Sequence, residues 1–479
     1  MLPFSPRHEY MRIAGEKVDD QSRMEIRFPY TGEVVGSVPQ ASSQAVEQAF
    51  ATATAYKAHL SRYERCKILQ TAGELLGQRR QALAQLITAE TGLAMQDTTY
   101  EVDRAKDVFM LAAMETLRDD GQAFACDISP HGKQRRIFTH REPLQGVIAA
   151  ITPFNHPLNQ VAHKVAPAIA TNNRLVLKPS EKAPLSALAL ADILYEAGLP
   201  GAMFAVVTGS PNSFGDLIIT HPHAELVAFT GSVAVGKAIA KRAGYRRLVL
   251  ELGGNDPLIV CADADPLRAA TLAVQGSFKN SGQRCTAVKR IFVHHSRADT
   301  FVAEVLRQTQ QLIYGDPYAP ETMMGTVIDE AAARQCEQRV SNAINQHGAS
   351  LLWGHKRQGA LYAPTVLDHV PHTCELVREE TFGPIAPIIR FESLEEVVAM
   401  SNSTAFGLSS GICSDRLETI NFLTQQLQVG TVNVWEVPGF RSEMSPFGGI
   451  KDSGLGVKEG VVEAMRNYTS VKTLALPWG

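Results

Sequence analysis

The 479-residue chain contains no run approaching eighteen consecutive apolar residues, and its first nine residues carry no basic-then-apolar layout. With neither a membrane-crossing run nor a secretory leader in view, a soluble, cytoplasmic protein without a membrane partner is expected. A charge imbalance is also lacking: 46 basic against 49 acidic side chains give a formal net charge of −3. No global field then attracts nucleic acid, and an anionic small molecule must be held by local arginines. The seven cysteines are odd in number and include no Cys-x-x-Cys pair. That pattern speaks for free thiols in a reducing compartment and against a zinc site. His221, His223, His294 and His295 have no Cys, Asp or Glu partner at ligand spacing, so they read as surface or loop residues and no metal is expected. There is no internal repeat and no GxGxxG. A dinucleotide, if bound, is not held in the usual Rossmann manner.

What is present is the composition of a globular enzyme: 45% apolar, 20% charged, 36 glycines and 25 prolines. The length exceeds one ordinary core, so two or three structural units are expected. Residues 12–38 read as short extended pieces. From 43 to about 118 apolar residues recur at three and four, as in Ile68, Ala72, Leu75 and Leu76, which predicts helices broken at Gly92. Residues 126–141 are polar and basic and suggest a hairpin arm, a common device for contacts between copies. From Gly146 onward short apolar strands alternate with helices, predicting an open, mostly parallel sheet. A second βα region begins at 247, and the tail 468–477 is again extended. In such sheets ligands bind beyond the carboxyl ends of the strands.

Reactive side chains collect at those ends. Residues 278–286 form a polar stretch framed by Gly276 and Gly282 that ends in Arg284, Cys285 and Thr286. It looks built to present Cys285 rather than bury it. Asn155, between Pro153 and Pro157, is placed as a rigid amide donor. Lys178 and Glu181, spaced by three with Pro179 and Ser180 between them, can hold two ribose hydroxyls. Glu251, followed by Gly253 and Gly254, is a plausible general base that a substrate can approach closely. Thr230, Gly231 and Ser232 open a helix whose backbone donors suit a phosphate.

In this order and spacing the chain resembles the NAD(P)-dependent aldehyde dehydrogenases over nearly its whole length. The resemblance rests on Pro153, Phe154 and Asn155; on 178–181, 229–232 and 251–255; on Gly282, Gln283, Arg284 and Cys285; on 379–384; and on 446–451 with Gly454. It implies Cys285 as nucleophile, Glu251 as the base that activates the deacylating water, and Asn155 with the Cys285 backbone N–H as oxyanion donors. It implies that Lys178, Ser180 and Glu181 hold the adenosine ribose, Gly231 and Ser232 the pyrophosphate, and Glu380 and Phe382 the nicotinamide end. Hydride loss from the Cys285 adduct leaves a thioester, and an acid at Glu251 favours its hydrolysis over transfer to coenzyme A. A carboxylate at Glu181 repels a 2′-phosphate, so NAD is expected over NADP. The implied architecture is an open-sheet NAD-binding domain (1–121 and 142–252), an α/β catalytic domain (253–451) and a β oligomerisation arm (122–141 and 463–479). A homo-oligomer, a dimer or a dimer of dimers, follows from the same resemblance.

Arginines point to the substrate. Arg284 precedes the nucleophile, Arg104 lies in the helix that lines the substrate entrance in the family, and Arg441 lies in the loop before the 446–451 motif. Taken locally, Arg104 also reads as a solvated helix charge near Asp103 and Asp107. Three guanidinium forks from separate segments suit a phosphate-like oxyanion. His156 stands where the family often has an apolar or aromatic residue and is a further donor candidate, with Thr286 beside the nucleophile. These features resemble the bacterial phosphonoacetaldehyde dehydrogenases, which implies oxidation of phosphonoacetaldehyde to phosphonoacetate. The non-phosphorylating glyceraldehyde-3-phosphate dehydrogenases share the arginine before cysteine but generally prefer NADP. Sulfoacetaldehyde, succinic semialdehyde and lactaldehyde are the remaining alternatives.

Overall fold

The computed structural model describes residues 5–57, 59–118 and 121–478. The first four residues of the stretch read for a leader, and Gly479 of the tail, lie outside them. Four helices open the main body: Ser43–Ala55, Arg62–Gln78, Arg80–Thr91 and Met95–Thr116. Their limits follow local chemistry. Ser61 and Glu64 form a reciprocal capping box at the second, and Gly92 closes the third in the left-handed region at φ 72°.

Seven strands form the first sheet, in the spatial order Arg247–Glu251, Ala224–Thr230, Val147–Ile151, Leu175–Lys178, Phe204–Val206, Met11–Ile13 and Glu16–Val18. The first five run parallel, and Met11–Ile13 adds antiparallel to Phe204–Val206. The chain fills this sheet outward from Val147–Ile151, first to one side and then to the other. The reversal leaves a crevice beyond the carboxyl ends of Val147–Ile151 and Ala224–Thr230, where such sheets bind ligands. Arg247–Glu251 corrects one expectation. It does not begin the second region but closes the first sheet, in register from Leu226↔Arg247 to Thr230↔Glu251. Its apolar run made it look like a new start, whereas parallel pairing assigns it to the existing edge.

The second sheet has the order Ser350–Trp353, Thr365–Asp368, Ile385–Phe391, Val288–His294, Asp256–Val260, Ser409–Cys413 and Thr431–Val434. All neighbours are parallel except the antiparallel edge strand Ser350–Trp353. Its central strands are buried along almost their whole length, as expected where helices cover both faces. A third sheet joins Ala123–Ala125, Arg135–Pro143 and Thr469–Pro477, the last two paired over nine residues. The hairpin arm and the extended tail are therefore one element. Phe124, Val471, Leu474, Leu476 and Trp478 are exposed on it.

One buried carboxylate ties the helical layer to the crevice. Glu101, in helix Met95–Thr116, accepts the N–H of Leu158 at 2.8 Å and of Asn159 at 3.0 Å through Oε1. It thereby caps helix Asn159–Ala170, whose own preceding residues offer no side-chain cap. The loop that carries Asn155 and His156 is held by the same contact. Replacing Glu101 with alanine should cost about 1–3 kcal/mol of stability, because two buried donors lose their acceptor. Glu101→Gln, which keeps one carbonyl acceptor, should cost less. Urea denaturation midpoints of the two variants check this ranking.

Candidate active site

Cys285 is presented by a turn the chain cannot form cheaply. Asn280, Ser281 and Gly282 are consecutive left-handed residues, at φ 59°, 53° and 68°. Two of them carry a Cβ, which crowds the backbone in this region. Hydrogen bonds fix the turn. The Asn280 N–H donates to Asp97 Oδ2 at 3.0 Å, and Asn280 Nδ2 donates to the Asn155 carbonyl at 3.0 Å. Gln283 Oε1 accepts the Ile328 N–H at 2.9 Å, and the Lys289 ammonium donates to the Gly282 carbonyl. Asn280 and Gln283 are thus held by internal hydrogen bonds, while Ser281 Oγ has no partner among the described residues. The expectation of a solvent-facing loop is corrected: residues 280–283 are buried, and Cys285 meets only a cavity.

That cavity, about 600 Å³, lies between the two large sheets. It brings Cys285 together with Asn155, Gly231, Ser232, Glu380 and Phe382. Asn155 Nδ2 donates one hydrogen to the Gln283 carbonyl at 2.8 Å, which orients the amide and leaves its second hydrogen available. Ser232 caps helix Val233–Arg242, accepting the Val235 N–H at 3.4 Å. Phe382 stands edge-on to Phe154, ring centres 6.0 Å apart. Glu380 Oε1 accepts the Gly254 N–H at 3.1 Å. The two glycines after Leu252 are sterically required. A Cβ on Gly253 would lie 2.3 Å from Glu380 Oε2, and one on Gly254 would lie 2.2 Å from the Cys285 carbonyl.

The ribose-end candidates do not line this cavity. Lys178 is buried, donates to the Pro179 carbonyl at 3.0 Å and lies 3.5 Å from Glu181 Oε2. Ser180 Oγ accepts the Lys182 N–H at 3.2 Å. Glu181 opens on an adjoining groove, which shares Lys182, Ile328 and Asp329 with the cavity.

Glu251 is set apart. It ends the edge strand of the first sheet and bridges to Gly454, but its side chain is not on the cavity wall. A Cβ on Gly448 would lie 2.5 Å from its Oε1, so the carboxyl is packed against that glycine. Neither oxygen accepts a hydrogen bond among the described residues. Burial, and then the neighbouring Glu459, push its pKa well above the ordinary carboxylate range, while Lys164 and Arg441 pull the other way.

The three arginines do converge. Arg104 Nε donates to Glu443 Oε1 at 2.6 Å, not to Asp103, which pairs with Arg80. Burial depresses the Arg441 guanidinium, Arg104 depresses it further, and the Cys285 thiolate would raise it. The Arg284 group is likewise depressed by burial, with Arg104 lowering it and Asp97 and Cys285 raising it. Its Nε and Nη2 are buried and have no hydrogen-bond partner among the described residues. Arg441 stacks over Phe447 at 4.0 Å. His156 belongs to the same cluster: burial lowers its pKa, Arg104 and Arg284 lower it further, and Glu101 opposes them from 3.6 Å. Thr286 is buried against Gly439, whose Cβ would lie 2.5 Å from Thr286 Oγ1.

Sequence reasoning missed Asp97, His163, Lys279 and Glu443. One of them had a signal: Asp97 leads Glu101 and Arg104 by four and seven in helix Met95–Thr116, so the three share a helix face, whereas His163 had none, because His156 lies in the loop before its helix. Lys279, stacked 3.6 Å over Tyr100, and Glu443 had none that local spacing reveals. The histidine reading also needs correction, because His221 is buried and stacked on Phe50 at 3.9 Å. No group of three metal-ligating side chains is present among the described residues.

Burial pushes the Cys285 thiol up to about 12, with Asp256 and Glu380 adding to the rise and Arg441 opposing it. The thiolate is the alkylating form, so at neutral pH only a trace reacts. Alkylation of the ligand-free protein by iodoacetamide should therefore quicken about tenfold per pH unit between pH 7 and 9. Peptide mass spectrometry at Cys285 reads the rate. A plateau below pH 8 would contradict the burial argument.

Comparison with known proteins agrees with this geometry. The family model described as "Aldehyde dehydrogenase family" matches residues 17–474. The 3-sulfolactaldehyde dehydrogenase of Priestia aryabhattai is 36% identical over 465 residues, 97% of each chain. The sulfoacetaldehyde dehydrogenase of Neptuniibacter caesariensis is 39% identical over 417 residues, 86% of this chain and 90% of the relative. Among solved structures, the NADP-dependent glyceraldehyde-3-phosphate dehydrogenase of Bacillus halodurans in complex with NADP superposes with a TM-score of 0.95 at 34% identity, covering 98% of this chain and 100% of that one. A thiol, an amide donor and a glycine-lined cleft between two parallel sheets thus occur in a chain matched end to end, and the chain belongs to the aldehyde dehydrogenase family.

Proposed function

We propose that this enzyme oxidises a small aldehyde carrying a tetrahedral oxyanion head, with phosphonoacetaldehyde as its substrate and NAD as its acceptor. The convergence of Arg104, Arg284 and Arg441 beside Cys285 carries the reading. Arg284 has two buried nitrogens with no partner among the described residues. Donors left unpaired in a buried site favour an acceptor supplied by the substrate. A second reading, sulfoacetaldehyde or a related sulfonate, is favoured by what two relatives are named for. The two heads share tetrahedral geometry and differ in charge.

The cleft suits a dinucleotide: Gly253 leaves room beside Glu380, and Gly231 and Ser232 place a helix start on the cavity wall. We assign Lys178, Ser180 and Glu181 to its adenosine ribose, Gly231 and Ser232 to its phosphates, and Glu380 and Phe382 to its nicotinamide end. When bound, this cofactor supplies the hydride acceptor. Cys285 Sγ, once deprotonated, bonds to the aldehyde carbon while the three arginines, with His156 and Thr286, hold the anionic head. The second amide hydrogen of Asn155 and the Cys285 backbone N–H receive the negative charge that develops on oxygen. Glu251 then turns from Gly448 toward the thioester and takes the proton of the attacking water. Its raised pKa makes it a stronger base than an ordinary carboxylate. The three-part division (1–121 and 142–252; 253–451; 122–141 and 463–479) and pairing of copies through the exposed arm belong to the same proposal.

NADH formation with phosphonoacetaldehyde, sulfoacetaldehyde, glyceraldehyde-3-phosphate and propanal tests the substrate. The anionic aldehydes should lead, and Arg284→Ala should remove about 2–5 kcal/mol of transition-state binding from them, far more than from propanal. Propanal as best substrate, or an equal loss for all four, would sink the anion site. Glu181→Ala should narrow the preference for NAD over NADP about tenfold, since a carboxylate disfavours the 2′-phosphate. Cofactor dissociation constants by fluorescence titration check that.

A further inference from the structure

Glu443 is a buried carboxylate that none of these steps uses. Its side chain is 8% exposed, and its two oxygens meet different elements of the fold. Oε1 accepts Arg104 Nε–H at 2.6 Å from helix Met95–Thr116, and Oε2 lies 2.7 Å from His163 Nε2 in helix Asn159–Ala170. At 2.7 Å from a carboxylate, Nε2 must carry the hydrogen, since a bare nitrogen would oppose two lone pairs. The approach of Arg441 Nη2 to that nitrogen, at 3.5 Å, is then a contact and not a hydrogen bond. Nδ1 is buried with no partner among the described residues, and burial lowers the ring's pKa while Glu443 opposes the shift.

Glu443 is therefore the carboxylate that both Arg104 and Arg441 feel. It raises each guanidinium's pKa, while Arg104 lowers that of Arg441. Against burial, His163 and then Arg104 and Arg441 hold the Glu443 carboxyl below its usual range in turn. Two guanidiniums sharing a buried pocket repel, and Arg104, 21% exposed, has the freedom to relieve this by swinging into solvent. The bond from Nε prevents that and leaves both terminal nitrogens of Arg104 without a hydrogen bond among the described residues.

We propose that Glu443 is a positioning residue for the substrate's anionic head, with its contact to His163 fixing the carboxylate and its bond to Nε holding Arg104 inward beside Arg441. The inference rests on the anionic-aldehyde reading. Simple charge counting gives the opposite sign, because removing a carboxylate raises the positive potential and should tighten anion binding. Preorganisation dominates here: an arginine that has rotated outward offers no fork at all.

The experiment compares wild type, Glu443→Gln, Arg104→Ala and the double variant on phosphonoacetaldehyde or sulfoacetaldehyde, whichever wild type prefers, and on propanal. Glu443→Gln should raise KM for the anion about tenfold with kcat changed far less, and the shift for propanal should be several-fold smaller. The double variant should be no worse than Arg104→Ala, because both act through one guanidinium. A lower anion KM in Glu443→Gln, an equal shift for both aldehydes, or additive losses would each overturn the proposal. If Glu443→Gln does not fold, Glu443→Asp, which keeps the charge one methylene short, takes its place. It should show a smaller rise of the same kind, and wild-type KM would overturn the idea. The underlying reading is tested separately: it fails if wild type prefers propanal, whereas Glu443 alone fails if wild type prefers the anion and Glu443→Gln matches it.

Discussion

The site depends on a backbone that has been forced into an unfavourable shape. Asn280, Ser281 and Gly282 occupy the left-handed region in succession, and the two with side chains cost on the order of 1 kcal/mol each. The cost is offset by contacts that come from three other parts of the chain. Asp97 takes the Asn280 N–H from the helical layer, the Asn155 carbonyl takes its amide from the first sheet, and the Ile328 N–H fixes Gln283. Each of these ties the nucleophile to an element that also supplies a site residue. The crevice between the sheets is therefore not a gap left by packing. It is the place where one strained turn is clamped by its neighbours, which fixes Cys285 opposite Asn155.

The second theme is charge placed where water is scarce. Cys285, Glu251, Asp256, Arg284, Arg441 and Lys289 are all buried enough that burial is the largest influence on their titration. An isolated buried charge is costly, so such groups persist only with partners near. Lys289 and Glu380 show the pattern. Burial pulls the lysine down and pushes the carboxyl up, and each restores part of the other's charge. The thiol lacks such a partner, because Asp256 and Glu380 oppose its ionisation and only Arg441 among its leading influences favours it. A thiol kept protonated in this way reacts slowly with alkylating agents.

Much of this was legible from residue order. Strand ends could be read from short apolar runs, and Asn155 and Ser232, just beyond two of them, fell at one crevice because neighbouring parallel strands present those ends together. Two things were not legible. The polar stretch before Cys285 reads as solvent-facing because composition cannot distinguish a polar residue that faces water from one that clamps a buried turn. Asn280 and Gln283 do the latter. Arg247–Glu251 reads as a new beginning because a strand's sheet is decided by its pairing partner, which is adjacent in space but unmarked along the chain.

Glu443 shows why the remainder lay beyond sequence. Arg104, Arg284 and Arg441 stand out as cations near family motifs, and each could equally have been a surface charge. What makes them a site is a carboxylate 339 residues from Arg104 that meets it at 2.6 Å and faces His163 on the other side. Nothing in the spacing of Glu443 signals this, because the pairing is set by how two helices and one loop pack. A cluster of like charges is stable in a protein only when counter-charge holds it open, and that counter-charge is chosen by tertiary geometry. On the proposed reading, substrate selection is therefore a property of the packed network more than of any arginine. Replacing one arginine removes a contact, whereas replacing the carboxylate behind it changes where the contact can be.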